Sequence, residues 1–206
     1  MEQTDIVIVG GGIAGLSAAA RLGSDGLDVV LVDPAPMQDP DTPDMRTTAY
    51  LQPAIDALMQ AGVWDGLEAH GAELRVMRIV DAGGVERAPR ETADFNGTDT
   101  AAGRFGWNIP NAAARRALID RVSGLPNVRL RFGTRIAGYV PRLDHAILRT
   151  EAGDQISAKL MVAADGRDST SRRLAGIRCS RWEYGQQALV FAVSHASPHD
   201  GISTEI

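Results

Sequence analysis

The chain has 206 residues, of which 44% are hydrophobic and 23% charged, and its formal net charge is -5. These values are ordinary for a folded globular protein and exclude disorder along the whole chain. The acidic balance argues against a nucleic-acid partner, because proteins that bind phosphate backbones usually carry a basic surplus. Cys179 is the single cysteine and the four histidines are scattered, so we expect no disulfide and no metal site.

An apolar run near the N-terminus, Ile6 to Ala20, differs from an export signal. Glu2 and Asp5 precede it where basic residues are expected, and four of its residues are glycines. It is also shorter than the ~20 residues that span a bilayer. We therefore expect a cytoplasmic chain without a transmembrane span, while peripheral contact with a membrane surface or a biosynthetic complex stays open.

The first elements predict a βαβ unit. Asp5–Val9 is a β-branched run, hydrophobic on both faces, and is typical of a central strand in a parallel sheet. The small residues of 13–22 suit a closely packed helix. A second buried strand follows at Val29–Val32, after which four prolines predict an exposed loop over 34–44.

A helix and two short strands are predicted next. Leu51, Ile55, Leu58 and Met59 share one face of a helix. Strand-like stretches at 74–80 and 105–109 then flank a polar loop, which we interpret as an excursion from the βαβ framework towards a substrate-binding sheet.

The framework resumes with a helix over 111–122, for which Asn111 is the expected N-cap. The pattern then predicts a half-exposed strand at 128–132 and a small antiparallel meander at 136–140 and 145–150. A buried strand is predicted at 160–164 and a final strand at 188–193.

Together these elements predict an α/β fold: a Rossmann-like βαβ sheet with a small antiparallel meander and the beginning of a substrate-binding β-sheet. We expect residues 1–71 and 110–180 to form a discontinuous dinucleotide-binding domain. Residues 72–109 and 181–206 are expected to form part of the substrate sheet.

A glycine fingerprint, Gly10-x-Gly12-x-x-Gly15, lies between the first strand and the first helix. Gly10 permits a tight turn, Gly12 lets a pyrophosphate approach the backbone, and Gly15 lets the helix lie close to the strand. The helix N-terminus, at Ile13 and Ala14, offers N–H groups and partial positive charge to phosphates. A turn that only packs the helix is the alternative.

Asp33 ends the second strand, 18 positions beyond Gly15, near the ~20-residue spacing of the dinucleotide fingerprint. A carboxylate there accepts hydrogen bonds from a ribose diol and repels a 2′-phosphate. The glycine fingerprint and Asp33 together therefore indicate that the bound adenosine belongs to FAD or NAD rather than to NADP. An exposed carboxylate at the end of a strand remains the alternative.

Asp165-Gly166 follows a predicted buried strand and precedes a short helix that ends near Leu174. Open α/β sheets bind ligands at the carboxyl ends of their strands, so this turn is a second candidate for ligand contact. A simple Asp-Gly turn accounts for the same residues.

With these motifs in this order, the chain resembles the group A flavoprotein monooxygenases, relatives of para-hydroxybenzoate hydroxylase, and among them the ubiquinone-biosynthesis hydroxylases. Four further segments carry the resemblance, namely the run 46–49 (Arg-Thr-Thr-Ala), the Gly-x-Trp at 62–64, residues 111–118, and residues 162–169 with Arg172. The family has a Gly-Asp motif further downstream that these residues lack. We therefore expect the chain to correspond to the N-terminal part of the family.

The resemblance implies roles for individual residues. Gly10, Gly12 and Gly15 would hold the FAD pyrophosphate and Asp33 the adenosine ribose. Arg46 would reach the flavin side of the cofactor, and Arg115 would contact the dinucleotide. Asp165 and Gly166 would serve both FAD and the passing NADH or NADPH. No catalytic residue is predicted.

The implied reaction is hydroxylation of a small aromatic, prenylated or unprenylated, substrate with NAD(P)H and O₂. The cofactor supplies the redox chemistry, and the protein supplies position and electrostatics. Two alternatives stay open: an FAD-dependent reductase or dehydrogenase of the same fold, and a non-catalytic dinucleotide-binding module.

Overall fold

The computed structural model describes residues 1–37, 44–84 and 88–206. Residues 38–43, inside the predicted loop, and residues 85–87 lie outside the described part. The chain begins with the predicted βαβ unit: β1 (Glu2–Val9), α1 (Ile13–Ser24) and β2 (Val29–Asp33). Both strands are buried on both faces where they pair, as their unbroken β-branched runs predict.

The next segment differs in part from the prediction. β3 (Thr47–Leu51) precedes α2 (Gln52–Gln60), and two short 3₁₀ turns follow at Trp64–Gly66 and Glu68–His70. Ile55 and Leu58 are buried as predicted, but Leu51 and Met59 are half exposed. The prediction was wrong for Leu51 because this residue pairs with Gly106 as the last residue of β3.

The described residues of the excursion form four strands: β4 (Ala72–Leu74), β5 (Val76–Asp81), β6 (Glu91–Asn96) and β7 (Gly106–Pro110), with a 3₁₀ turn at Gly97–Asp99 between the last two. β6 was predicted as polar loop, and that prediction was wrong. All six of its residues are exposed, and it is a strand because it pairs with β5, where Arg78 and Asp94 form a two-bonded ion pair at 2.7 Å.

The framework then resumes as predicted with α3 (Asn111–Ser123), β8 (Val128–Phe132), β9 (Ile136–Pro141), β10 (Ala146–Thr150) and β11 (Gln155–Ala163). Pro110 rather than Asn111 is the N-cap of α3. The Asn111 side chain instead accepts a hydrogen bond from the Thr48 hydroxyl at 2.7 Å, so it ties the start of the helix to β3.

The end of β11 is more exposed than predicted, with Leu160 55% exposed. β10 pairs with residues 155–158, so beyond that point β1 is the one described strand that is hydrogen-bonded to β11.

The last elements are α4 (Thr170–Leu174) and β12 (Ile202–Glu205). The predicted strand at 188–193 was wrong. Those residues are exposed and unpaired in the described part of the chain, whereas β12 pairs with β5 in parallel.

The main sheet has six strands in the order β8-β2-β1-β11-β10-β9. Its first four strands run parallel and the last three form the antiparallel meander, with β11 belonging to both. The predicted fold class is therefore confirmed. Helices α1, α2 and α3 cover one face of the sheet, and the meander and α4 enclose a second cluster on the other.

Two three-stranded sheets complete the fold, in the orders β3-β7-β4 and β12-β5-β6. None of the helices formed by the described residues has the length and apolar character that crossing a bilayer requires.

Candidate cofactor-binding site

The glycine turn lies at the carboxyl ends of the central parallel strands. Gly10 has φ +113°, a conformation that favours glycine, and its N–H donates to the Val32 carbonyl at 2.8 Å. A Cβ on Gly10 would collide with the Ala164 carbonyl, and one on Gly15 would collide with the Gly10 carbonyl. Both glycines are therefore needed for the close approach of β1, α1 and the end of β11.

Gly12 is different, because its surroundings are open. Its φ of -76° and ψ of -178° suit any residue, and a Cβ built on it meets no atom of the described residues within 4 Å. It is the N-cap of α1, and no side chain caps this helix. Its neighbour Ala14 is also exposed and Ile13 half-buried. The first N–H groups of α1 consequently have no intrahelical partner beside an open space.

Asp33 is fixed beside this turn by its carboxylate. Oδ2 accepts the Gly11 N–H at 2.5 Å, and Oδ1 accepts the Ala35 N–H at 2.8 Å. Each oxygen uses one lone pair in this way, so acceptor capacity remains for a diol. The side chain is half-buried and opens towards solvent.

Arg115 reaches the same turn from α3. Its Nη1 donates to the Gly11 carbonyl at 2.6 Å, and its guanidinium lies over the Phe132 ring, with Cζ 5.9 Å from the ring centroid. Its Nε is buried and has no hydrogen-bond partner in the described part of the chain. A buried donor without a partner marks this guanidinium as a candidate for contact with a bound cofactor.

Asp165 and Gly166 follow β11 directly opposite the turn. The Ala164 N–H donates to the Val9 carbonyl at 2.7 Å, and the Asp165 nitrogen lies 2.7 Å from the position of a Cβ on Gly10. Gly166 is exposed, with φ +81° and open surroundings.

The Asp165 carboxylate is committed to its own chain. It accepts the Ser169 hydroxyl at 2.5 Å and the Ser171 N–H at 2.8 Å at the start of α4. Burial acts to raise the pKa of Asp165, but these hydrogen bonds outweigh burial and hold the pKa below its ordinary value of 3.8. The carboxylate is thus ionised and fixes the corner in which Gly166 lies.

Arg46 is not brought to the glycine turn by any described side-chain contact. Its guanidinium forms two hydrogen bonds to Asp44, both 2.8 Å, and this ion pair is exposed. Hydrogen bonding to Arg46 lowers the pKa of Asp44 to about 2. Through its carbonyl, which accepts the Asn111 N–H at 3.0 Å, Arg46 is linked to the start of α3, the helix that carries Arg115.

The structure adds residues that the sequence reasoning missed. Gly11 is buried, and a Cβ on it would lie 2.7 Å from Cε1 of Phe132 and 3.1 Å from Cβ of Asp33. Phe132 carried no signal beyond the alternation of β8, because its contact with Arg115 joins two distant elements. For Gly11 a signal was available, because it lies between Gly10 and Gly12 of the glycine fingerprint.

The site therefore combines an open helix N-terminus, two nearby carboxylates and a cation on one glycine turn. Helix N–H groups with an adjacent arginine suit a pyrophosphate, and a fixed carboxylate suits a ribose diol. These residues fit an adenine dinucleotide whose phosphates lie beside Gly12.

Comparison with known proteins defines the class. The FAD binding domain family matches residues 3–201, so the chain belongs to this family. This confirms the resemblance drawn from the motifs, and FAD is the cofactor of the family.

Individual relatives narrow the resemblance. The chain is 31% identical to the ubiquinone hydroxylase UbiL of Rhodospirillum rubrum over 99% of the chain and 47% of the relative. It is 30% identical to the 3-demethoxyubiquinol 3-hydroxylase of Escherichia coli K12 over 93% of the chain and 49% of the relative. The chain thus spans about half the length of these relatives.

Among solved structures, PqsL of Pseudomonas aeruginosa, described as a probable FAD-dependent monooxygenase, superposes with a TM-score of 0.71 at 25% identity. The match covers 89% of this chain and 48% of PqsL.

Proposed function

We propose that the chain is the FAD-binding part of a flavoprotein monooxygenase that hydroxylates an aromatic ring of the ubiquinone-precursor type, with NADH or NADPH as the electron donor. The observation that carries the proposal is the convergence of Asp33, Arg115 and the Asp165-Gly166 corner on one glycine turn. Relatives described as ubiquinone hydroxylases, 30–31% identical along nearly all of the chain, support the substrate class.

Each residue has a proposed task at this site. Gly10, Gly12 and Gly15, with the N–H groups of Ile13 and Ala14, bind the pyrophosphate. Asp33 binds the adenosine ribose, and the Arg115 guanidinium contacts the dinucleotide. When bound, FAD supplies the transfer of electrons from the nicotinamide donor and the activation of O₂.

The roles of the remaining residues follow from their positions. The Asp165-Gly166 corner borders the turn on the β11 side, and Gly166 leaves room for the cofactor and the approaching donor. Arg46 reaches the flavin side only if its guanidinium leaves Asp44, which is compatible with the exposure of that ion pair.

The division of the chain is proposed on the same basis. Residues 1–71 and 110–180 contain the six-stranded sheet and the three helices that pack on it. Residues 72–109 and 181–206 contain the β12-β5-β6 sheet, on which the apolar side chains of Met77 and Phe95 face solvent side by side. Such a surface suits a hydrophobic aromatic substrate. The cytoplasmic location and the membrane-surface contact stay predictions.

The proposal is tested with the purified chain. FAD titration followed by flavin fluorescence should give saturable binding, and NAD(P)H oxidation should be coupled to O₂ uptake only when a phenolic quinone precursor is present. NAD(P)H oxidation with quinone reduction and without substrate-dependent O₂ uptake would indicate the reductase. Absence of FAD binding would indicate the non-catalytic module and contradict the proposal.

A further inference from the structure

Gly11 is held on both sides of its Cα by side chains from other elements. Its N–H donates to Asp33 at 2.5 Å and its carbonyl accepts from Arg115 at 2.6 Å. The Phe132 ring closes the third side, 2.7 Å from the position of a Cβ on Gly11. Because Gly11 precedes the N-cap of α1, the two peptide groups that flank its Cα set the direction of the open helix terminus.

Phe132 is the residue on which this arrangement rests. It pairs with Asp33 across β2 and β8, and its ring carries the Arg115 guanidinium on its face. A cation over an aromatic face is attracted by the ring quadrupole, and the attraction grows when water is excluded. Among the described residues, the Gly11 carbonyl and the Phe132 ring contact the Arg115 guanidinium, and its buried Nε has no partner there.

A glycine-rich turn has high conformational freedom, and ordering it during binding lowers affinity. A turn in which the two peptide groups flanking its central residue are already fixed avoids that cost. We propose that Phe132 is a positioning residue: by holding Arg115 against the Gly11 carbonyl, it pre-orders the glycine turn and thereby strengthens dinucleotide binding. This inference rests on the proposed function.

The test compares Phe132→Leu with Phe132→Tyr. Leucine keeps the apolar bulk and removes the aromatic face, whereas tyrosine retains the face. We expect F132L to weaken FAD binding about 3- to 30-fold, the range that corresponds to loss of a partly buried cation–π contact. F132Y should remain within about 2-fold of the wild type, because the contact with Arg115 is preserved.

Two further readouts separate positioning from general packing. In a double-mutant cycle with Arg115→Met, the effect of F132L on FAD affinity should largely disappear, because R115M has already removed the cation that the Phe132 ring contacts. In the FAD-free chain, hydrogen exchange of the Gly11 amide should be protected in the wild type and F132Y and faster in F132L, with exchange in the β1 core unchanged.

Equal FAD affinity and equal Gly11 protection in F132L and the wild type would overturn the inference while leaving the proposed function intact. Additive effects of F132L and R115M would also overturn it, since they would assign Phe132 a packing role. A wild-type chain that takes up no FAD would overturn the proposed function and this inference together.

Discussion

Gly12→Ala separates the binding role of the glycine turn from its structural role. The backbone of Gly12 already has a conformation open to alanine, and within the described part of the chain the added Cβ meets no atom within 4 Å. The methyl group therefore enters only the space in which we place the pyrophosphate.

The expected magnitudes follow from this geometry. Replacing glycine by alanine restricts the unfolded chain, which stabilises by about 0.4–1 kcal/mol, while alanine is a poorer N-cap than glycine by a similar amount. The net change in the free energy of unfolding should stay within about 1 kcal/mol, or a Tm shift of about 4 °C at most. Overlap of the methyl group with a bound phosphate should cost about 1–3 kcal/mol, which weakens FAD binding about 5- to 150-fold.

Isothermal titration calorimetry with FAD and thermal unfolding of the free chain measure both quantities. Gly66→Ala is a matched control, because a Cβ on Gly66 also meets nothing within 4 Å but lies in the 3₁₀ turn after α2. G66A should bind FAD like the wild type. If G12A also binds FAD with unchanged affinity, the phosphates do not lie beside Gly12 and the reasoning is wrong.

Three further predictions concern single side chains. Asp33→Asn turns one acceptor into a donor that faces the Gly11 or the Ala35 N–H, so we expect loss of about 1–3 kcal/mol of stability and at least about 10-fold weaker FAD binding by calorimetry. The control Asp56→Asn, on the exposed face of α2, should change neither stability nor FAD affinity. Unchanged FAD affinity in D33N would refute the role of Asp33. Arg121→Ala removes hydrogen bonds from α3 to the Ala61 carbonyl and the Ser24 hydroxyl, so thermal unfolding should show a loss of about 2 kcal/mol, or about 4–8 °C in Tm, with FAD binding retained. Arg173→Ala is the control, because the exposed Arg173 guanidinium donates to the Thr170 hydroxyl of its own helix, and an equal effect of both variants would contradict the account. Because the folded-state pKa of Asp165 is lowered, its contribution to stability is present above its unfolded pKa of about 3.8 and is lost as the pH falls through the lower folded pKa. Unfolding midpoints measured between about pH 6 and pH 3 should therefore fall less steeply for Asp165→Asn than for the wild type. Parallel curves for the two proteins would show that the Ser169 and Ser171 contacts do not stabilise the fold.

Local sequence pattern predicted the elements whose burial is unambiguous. The β-branched runs of β1 and β2 are apolar on both faces, so their central place in a parallel sheet could be read directly. β6 could not be predicted, because its six residues are polar and exposed and its strand conformation comes from pairing with β5. The apolar residues of 188–193 gave the opposite error, since composition alone does not supply a neighbouring strand.

The site shows the same division. The fingerprint and Asp33 were visible because their spacing along the chain follows from a single βαβ unit. The contact of Arg115 with Gly11 joins residues 104 positions apart, and Phe132 enters from a third element. Such contacts depend on how β8 and α3 pack around the turn, which no local period encodes.

The central claim is that FAD binds at the open N-terminus of α1, between Asp33 and the Asp165-Gly166 corner. The most direct measurement is a titration of the isotopically labelled chain with FAD, followed by the backbone amide resonances. We predict the largest changes at Gly11, Gly12 and Gly15, together with the intervening amides of Ile13 and Ala14. Saturation with FAD that leaves these amides unchanged would contradict the account.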